Sequence, residues 1–253
     1  MAPRKPLVIA HRGDTAAGPE NTLPAFAAAI DAGADGIELD VHPSRDGAPV
    51  VHHDYYLART TNGAGLVTDH TLAELRALDA GAWFGEAFAG ERLPTLEEVL
   101  SLAAGRVRLE IELKGTTLAF LERVLEAIRA ADAVGSVELT TGHRPLLWHM
   151  HCREPRIPTG MFFVDPWPKW MGPELGHRQV MELMSLAGAR IAHLPIGMID
   201  ADFVGRLHGA GMQVHGANVN DATAIARAIE CDVDQFTTSR LDLALSVVGD
   251  TVA

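Results

Sequence analysis

The sequence predicts a single (β/α)8 TIM barrel of the α/β class, and three observations carry that reading. A length of 253 residues is ordinary for one such barrel. Eight short apolar runs alternate with amphipathic stretches, the pattern of βα units laid end to end. No break in composition divides the chain, so residues 1–253 are expected to form one domain. A doubly wound open sheet is the main alternative for the same alternation.

In chain order the strands are "PLVIA" (6–10), "DGIELDV" (35–41), "RVRLEIEL" (106–113), "SVELT" (136–140), "IPTGMFF" (157–163), "RIAHLP" (190–195), "MQVHGAN" (212–218) and "VDQFTT" (233–238). Helical periodicity appears between them over 22–33, 95–105, 117–131 and 221–230. Thr22, Thr95, Thr117 and Asp221 are expected N-caps, and Gly33 and Gly105 expected C-terminal stops. Residues 46–94 break the alternation. They hold a strand-like "PVVHH" and then a long loop-rich segment, which predicts an inserted excursion over the barrel's loop face.

The bulk numbers narrow the class. A hydrophobic content of 47% with 21% charge is globular, and no apolar run approaches the roughly 18 residues that a membrane span requires. The run after Arg4 and Lys5 is too short for a signal-peptide core, so a soluble, cytoplasmic protein is expected. A net charge of −12 without a dense basic cluster argues against a nucleic-acid partner. Cys152 and Cys231 form neither a disulfide framework nor a metal-ligand spacing.

Chemistry concentrates at strand ends. His11 and Arg12 sit where the first strand becomes a loop, the junction at which α/β folds bind ligands. In "DGIELDV" strand alternation places Glu38 and Asp40 on one face, with Ile37, Leu39 and Val41 on the other. Two inward carboxylates repel each other, and a hard divalent cation such as Mg²⁺ or Ca²⁺ would resolve the conflict. "LEIELK" repeats the device: Glu112 offers a third carboxylate and Lys114 a point charge suited to a phosphate oxygen, while Glu110, one layer deeper, is expected to pair with a basic neighbour. Alternation separates His52 from His53, so at most one of them points into the site, where it could stand opposite His11.

These residues belong to a longer ordered set. "AHRG", "PENTLPAF", "GADGIELDV", "DGAPVVHHD", "RTTNG", "LPTLEEVL" and "IELK" resemble, in order and approximate spacing, the glycerophosphodiester phosphodiesterase family. The resemblance is dense over about the first 115 residues and weaker afterwards. It implies a (β/α)8 barrel with a small insertion after the second strand, and a metal-dependent hydrolysis of glycerophosphodiesters to glycerol 3-phosphate and an alcohol. It further implies that Glu38, Asp40 and Glu112 hold the metal, Mg²⁺ or Ca²⁺, and that His11 and His53 are the catalytic histidines. Arg12 and Lys114 match phosphate-contacting cations, and Glu20 and Asn21 match a motif that supports the substrate loop, although Asn21 could equally be a helix cap. The implied partner is a small-molecule phosphodiester, with transient lipid contact open.

Departures from the family pattern fall late in the chain. Ala217 and Asn218 stand where the family often has Trp and Thr, Thr141 and Gly142 where a Ser-Phe pair is common, and Ser239 and Leu241 at usual Asp and Pro positions. A roomier pocket is expected, with Trp167 and Trp170 on a stiff loop able to cover it or touch lipid. Two other functions stay open: a phospholipase D-type enzyme acting on lysophospholipids or sphingomyelin-like lipids, and a phosphate-binding barrel without catalysis.

Overall fold

Leu7–His11 form the first strand, β1, with Val8, Ile9 and Ala10 buried, as a short apolar run at the start of a barrel requires. The computed structural model of the chain describes residues 4–163 and 171–251. Trp167 and Trp170 lie outside the described residues. The further strands are β2 (Gly36–Pro43), β3 (Pro49–Val51), β4 (Arg108–Leu113), β5 (Val137–Thr141), β6 (Thr159–Phe162), β7 (Ile191–Pro195), β8 (Gln213–Ala217) and β9 (Gln235–Thr238). The helices are α1 (Leu23–Asp31), α2 (Leu72–Arg76), α3 (Leu96–Ala103), α4 (Leu118–Ala130), α5 (Arg144–Arg153), α6 (Pro173–Ala187), α7 (Ala201–Gly209), α8 (Ala222–Glu230) and α9 (Leu241–Thr251). Hydrogen-bonded strands follow the order β1-β9-β8-β7-β6-β5-β4-β2-β3, with β1 also paired to β2. The parallel set therefore closes into an eight-stranded (β/α)8 barrel with β3 as an extra strand on β2, and the open-sheet alternative falls away.

The chain divides into two compact units, Ala10–Glu138 and Met1–Ile9 with Leu139–Ala253. In the first, β2 and β4 run parallel with Glu38 beside Glu110 and Asp40 beside Glu112. The expected caps form here. Thr95 accepts from the Glu98 amide in a full capping box, Thr117 accepts from the Phe120 amide, and Gly33 and Gly105 adopt positive φ just past their helices. Thr22 occupies the N-cap position of α1, but its hydroxyl donates to the Pro19 carbonyl instead of accepting a helix N–H.

The excursion after β2 is built rather than loose. β3 pairs antiparallel with the end of β2, Val41 opposite Val51. Val50, Leu57, Val67, Leu75, Ala80 and Leu93 then bury one another in a small core of their own. Arg76 adds a two-pronged bond to Glu98. Leu57 is fully buried in this small cluster, so Leu57→Ala is expected to cost about 2–5 kcal/mol of stability, read from urea denaturation.

In the second unit β6 to β9 pair parallel in register. Asp221 caps α8 as expected, accepting from the Ala224 amide, and Ile225, Ala228 and Ile229 form its buried stripe. The inner positions here are polar: Thr140, Thr159, His193, His215 and Gln235 are buried, and the His193 and His215 rings stack at 4.1 Å. Cys231 is buried and Cys152 exposed, both as free thiols. Among the described residues no helix is long and apolar enough to cross a membrane.

Candidate active site

All nine residues singled out by sequence lie in the Ala10–Glu138 unit. The His11-Arg12-Gly13 turn shows why that tripeptide has its order. Arg12 turns the chain with φ 59°, a left-handed conformation that is uncommon outside glycine and concentrates at functional sites. The turn aims the Arg12 N–H at Glu38, whose backbone carbonyl and side-chain Oε2 both lie at 3.0 Å. Gly13 follows at φ 86°, and a Cβ there would come within 2.9 Å of the Ala25 backbone, so only glycine fits.

Glu38, Asp40 and Glu112 offer carboxylate oxygens that all lie within 4.8 Å of one another, and Glu38 and Asp40 are almost wholly buried. Burial, then the charges of Asp40 and Glu112, push the Glu38 carboxyl well above its ordinary range. Burial pushes Asp40 the same way, but Lys114, His53 and Arg12 more than reverse it and hold Asp40 ionised. Lys114 Nζ lies 2.6 Å from Glu112 and 3.0 Å from Asp40, and although burial alone would lower its pKa, the two acids raise it. Hard oxygen donors gathered within 4.8 Å that repel one another are what a divalent cation satisfies, so the donor set fits a metal site.

Around this centre the supporting residues are specific. Asn21, at φ 56°, donates from Nδ2 to Asp40 Oδ2 at 2.9 Å and accepts from the Asp40 amide at 3.3 Å. It holds a carboxylate; the cap of α1 is the next residue, Thr22. Glu20 accepts from Arg12 Nη1 at 2.9 Å. Arg12 Nε is buried, 3.6 Å from Asp40 Oδ2, and has no hydrogen-bond partner among the described residues, which leaves it suited to an anionic oxygen.

The two histidines stand in different surroundings. His11 Nε2 is 3.9 Å from Glu38 Oε2. Burial, and then the Arg12 charge, lower its pKa from 6.5 to about 4, so the ring is neutral at neutral pH. His53 faces Asp54, with Nδ1 and Oδ1 2.6 Å apart. His52 is buried, its Nε2 bonded to the Tyr56 carbonyl.

Two further residues shape the surroundings. Burial, then the charges of Glu138 and Glu38, raise the Glu110 carboxyl well above the ordinary range, which favours the protonated form. His42, absent from the sequence-based set, lies two residues beyond Asp40 on the same strand face. Burial lowers its pKa to about 4, so the neutral ring donates from Nε2 to the His53 carbonyl at 3.1 Å and pins that residue's backbone. Its signal was the period-two spacing Glu38, Asp40, His42.

Clustered carboxylates able to hold a divalent cation, with a histidine held neutral beside them, provide chemistry suited to metal-assisted hydrolysis. The model of the glycerophosphoryl diester phosphodiesterase family matches residues 11–243. A glycerophosphodiester phosphodiesterase of Bacillus altitudinis is 32% identical over 95% of this chain and 97% of its own length. Another, from Caldanaerobacter subterraneus subsp. tengcongensis, is 43% identical over 64% of this chain and 70% of its own. Among solved structures, an Oleispira antarctica phosphodiesterase in complex with the product sn-glycerol-3-phosphate superposes with a TM-score of 0.83 at 27% identity, covering 96% of this chain and 97% of that one. The chain belongs to the glycerophosphodiester phosphodiesterase family, and its reaction is the hydrolysis of glycerophosphodiesters.

Proposed function

We propose that residues 1–253 act as one phosphodiesterase domain, with 46–94 as its excursion, that releases glycerol 3-phosphate and an alcohol at the cluster of Glu38, Asp40, Glu112, His11 and His53. The observation that carries this reading is the carboxylate trio within 4.8 Å, flanked by a neutral histidine and by a histidine held on a carboxylate. Glu38, Asp40 and Glu112 would hold Mg²⁺ or Ca²⁺, which supplies Lewis-acid polarisation of a phosphoryl oxygen when bound.

The chain's own groups do the rest. Arg12 Nε and Lys114 Nζ bind the non-bridging oxygens and stabilise the charge that builds on them as phosphorus becomes five-coordinate. His11, neutral, takes the proton from the attacking hydroxyl, which is either water or the substrate's own glycerol 2-hydroxyl. The new P–O bond forms as the P–O bond to the alcohol breaks, and His53 gives its proton to the departing oxygen. Asp54 fixes the His53 ring and balances its positive charge. By the second route the first product is a cyclic phosphate, which water then opens with the two histidines exchanging roles.

Support for the product comes from the Oleispira antarctica relative, in complex with sn-glycerol-3-phosphate. The test is a panel of glycerophosphoethanolamine, glycerophosphocholine and lysophosphatidylcholine, assayed after EDTA treatment and again with Mg²⁺ or Ca²⁺ restored. Activity on the glycerophosphodiesters should vanish with EDTA and return with metal. Full turnover by metal-free protein would overturn the metal assignment, and preference for the lysolipid would move the reading to a phospholipase D-type enzyme.

A further inference from the structure

Arg59 ends a short 3-10 turn, Leu57–Arg59, inside the excursion, and its guanidinium is shared between two carboxylates from separate loops. Nε and Nη2 donate to Asp54 Oδ2 and Oδ1 at 2.7 and 3.0 Å. Nη1 and Nη2 donate to Glu20 Oε2 and Oε1, both at 2.8 Å. A planar fork can grip two carboxylates on two of its edges at once, which the point charge of a lysine cannot.

Each gripped carboxylate is also the partner of a site residue. Asp54 Oδ1 faces His53 Nδ1 at 2.6 Å, and Glu20 Oε1 accepts from Arg12 Nη1 at 2.9 Å. One guanidinium thus ties together the supports of His53 and Arg12. Arg59 is 44% exposed, and ion pairs at such sites contribute little to stability. A network of four bonds there has more bearing on orientation than on folding. Displacing a reacting group by about 1 Å can cost about a hundredfold in rate, so a residue that fixes two supports at once has leverage on catalysis.

We propose that Arg59 is a positioning residue, a clamp from the excursion that sets His53 and Arg12 in one geometry through Asp54 and Glu20. The proposal rests on the proton-donor role of His53 given above. Through Asp54 it governs protonation of the leaving alcohol, and through Glu20 it governs the grip on the phosphoryl oxygens.

The experiment compares Arg59→Ala, Arg59→Lys, Asp54→Asn, the Arg59→Ala/Asp54→Asn double variant and His53→Ala in the full chain, loaded with Mg²⁺. Substrates are glycerophosphoethanolamine and a glycerol phosphodiester of p-nitrophenol, whose departing phenolate needs no proton. Arg59→Ala should lower kcat/KM on glycerophosphoethanolamine by about 10–100-fold, and the double variant should be no more than about threefold worse than the weaker single one, because both changes break one chain of contacts. The Arg59→Ala deficit should shrink on the p-nitrophenyl substrate, and millimolar methylguanidinium should recover part of the activity, which a merely structural loss would not allow. If Arg59→Ala does not fold, Arg59→Lys carries the test with a smaller loss in the same pattern. An active, folded Arg59 variant within about twofold of the parent, or losses that multiply with Asp54→Asn, overturns the clamp. His53→Ala in the same series separates the two ideas: if it stays active the histidine reading fails, and if it is dead while Arg59→Ala is unimpaired, only the clamp fails.

Discussion

His11→Ala and His53→Ala should each lower kcat/KM on glycerophosphoethanolamine by about 10²–10⁴-fold while leaving the thermal transition in place, because each removes one proton transfer from the transition state. Neither ring is a core residue: the side chains are 24% and 31% exposed. The two losses should differ in kind. On a p-nitrophenyl diester the leaving group departs without a proton, so His53→Ala should recover much of its rate and His11→Ala should not. The reverse outcome exchanges the roles. The pH profile gives a second reading of the same assignment. His11 is held neutral down to about 4, below the ordinary histidine value of 6.5, by burial and then by Arg12. The base therefore stays competent as pH falls through 6.5, and the acid limb of kcat/KM belongs near 4. A limb centred at 6.5 would show that His11 is not the base, or that its surroundings are not those of the free chain.

The parts of this site that a sequence reveals are those whose spacing equals the period of the element that carries them. Glu38 and Asp40 on β2, and Glu112 on β4, come together because strand alternation fixes their common face, and the β2–β4 register then sets Asp40 beside Glu112. The capping threonines of α3 and α4 read correctly for the same local reason. Contacts that depend on tertiary approach left no such trace. Arg59 opens the "RTTNG" stretch of the resemblance, but its reach to Glu20 across 39 positions is a tertiary contact that no local spacing shows. Asn21 sits one place before the N-cap, so local chemistry alone suggested a cap, while its actual partner, Asp40, comes from the neighbouring strand.

Glu38→Gln and Asp40→Asn should both abolish activity yet part company in the protein without metal. Glu38 is already biased toward its neutral form there by burial, Asp40 and Glu112, so an amide of the same shape resembles the state it occupies. Its side chain can still accept the Arg12 N–H, which lies 3.0 Å from Oε2. The EDTA-treated Glu38→Gln variant should therefore melt close to the parent. Asp40 is the opposite case. It is held ionised by Lys114, His53 and Arg12 against the pull of burial, and it accepts from Asn21. Removing its charge leaves two largely buried cations short of a partner, a change that costs about 1–3 kcal/mol when the remaining acids, Glu112 and Glu20, can share the load. Asp40→Asn should accordingly melt lower than the parent in EDTA. With Mg²⁺ or Ca²⁺ added, the parent should gain stability in proportion to the logarithm of metal concentration above Kd, and both variants should lose that gain. Equal melting of the two variants in EDTA would mean that Glu38 and Asp40 share their charge evenly. A metal-dependent rise retained in both would place the cation elsewhere in the barrel.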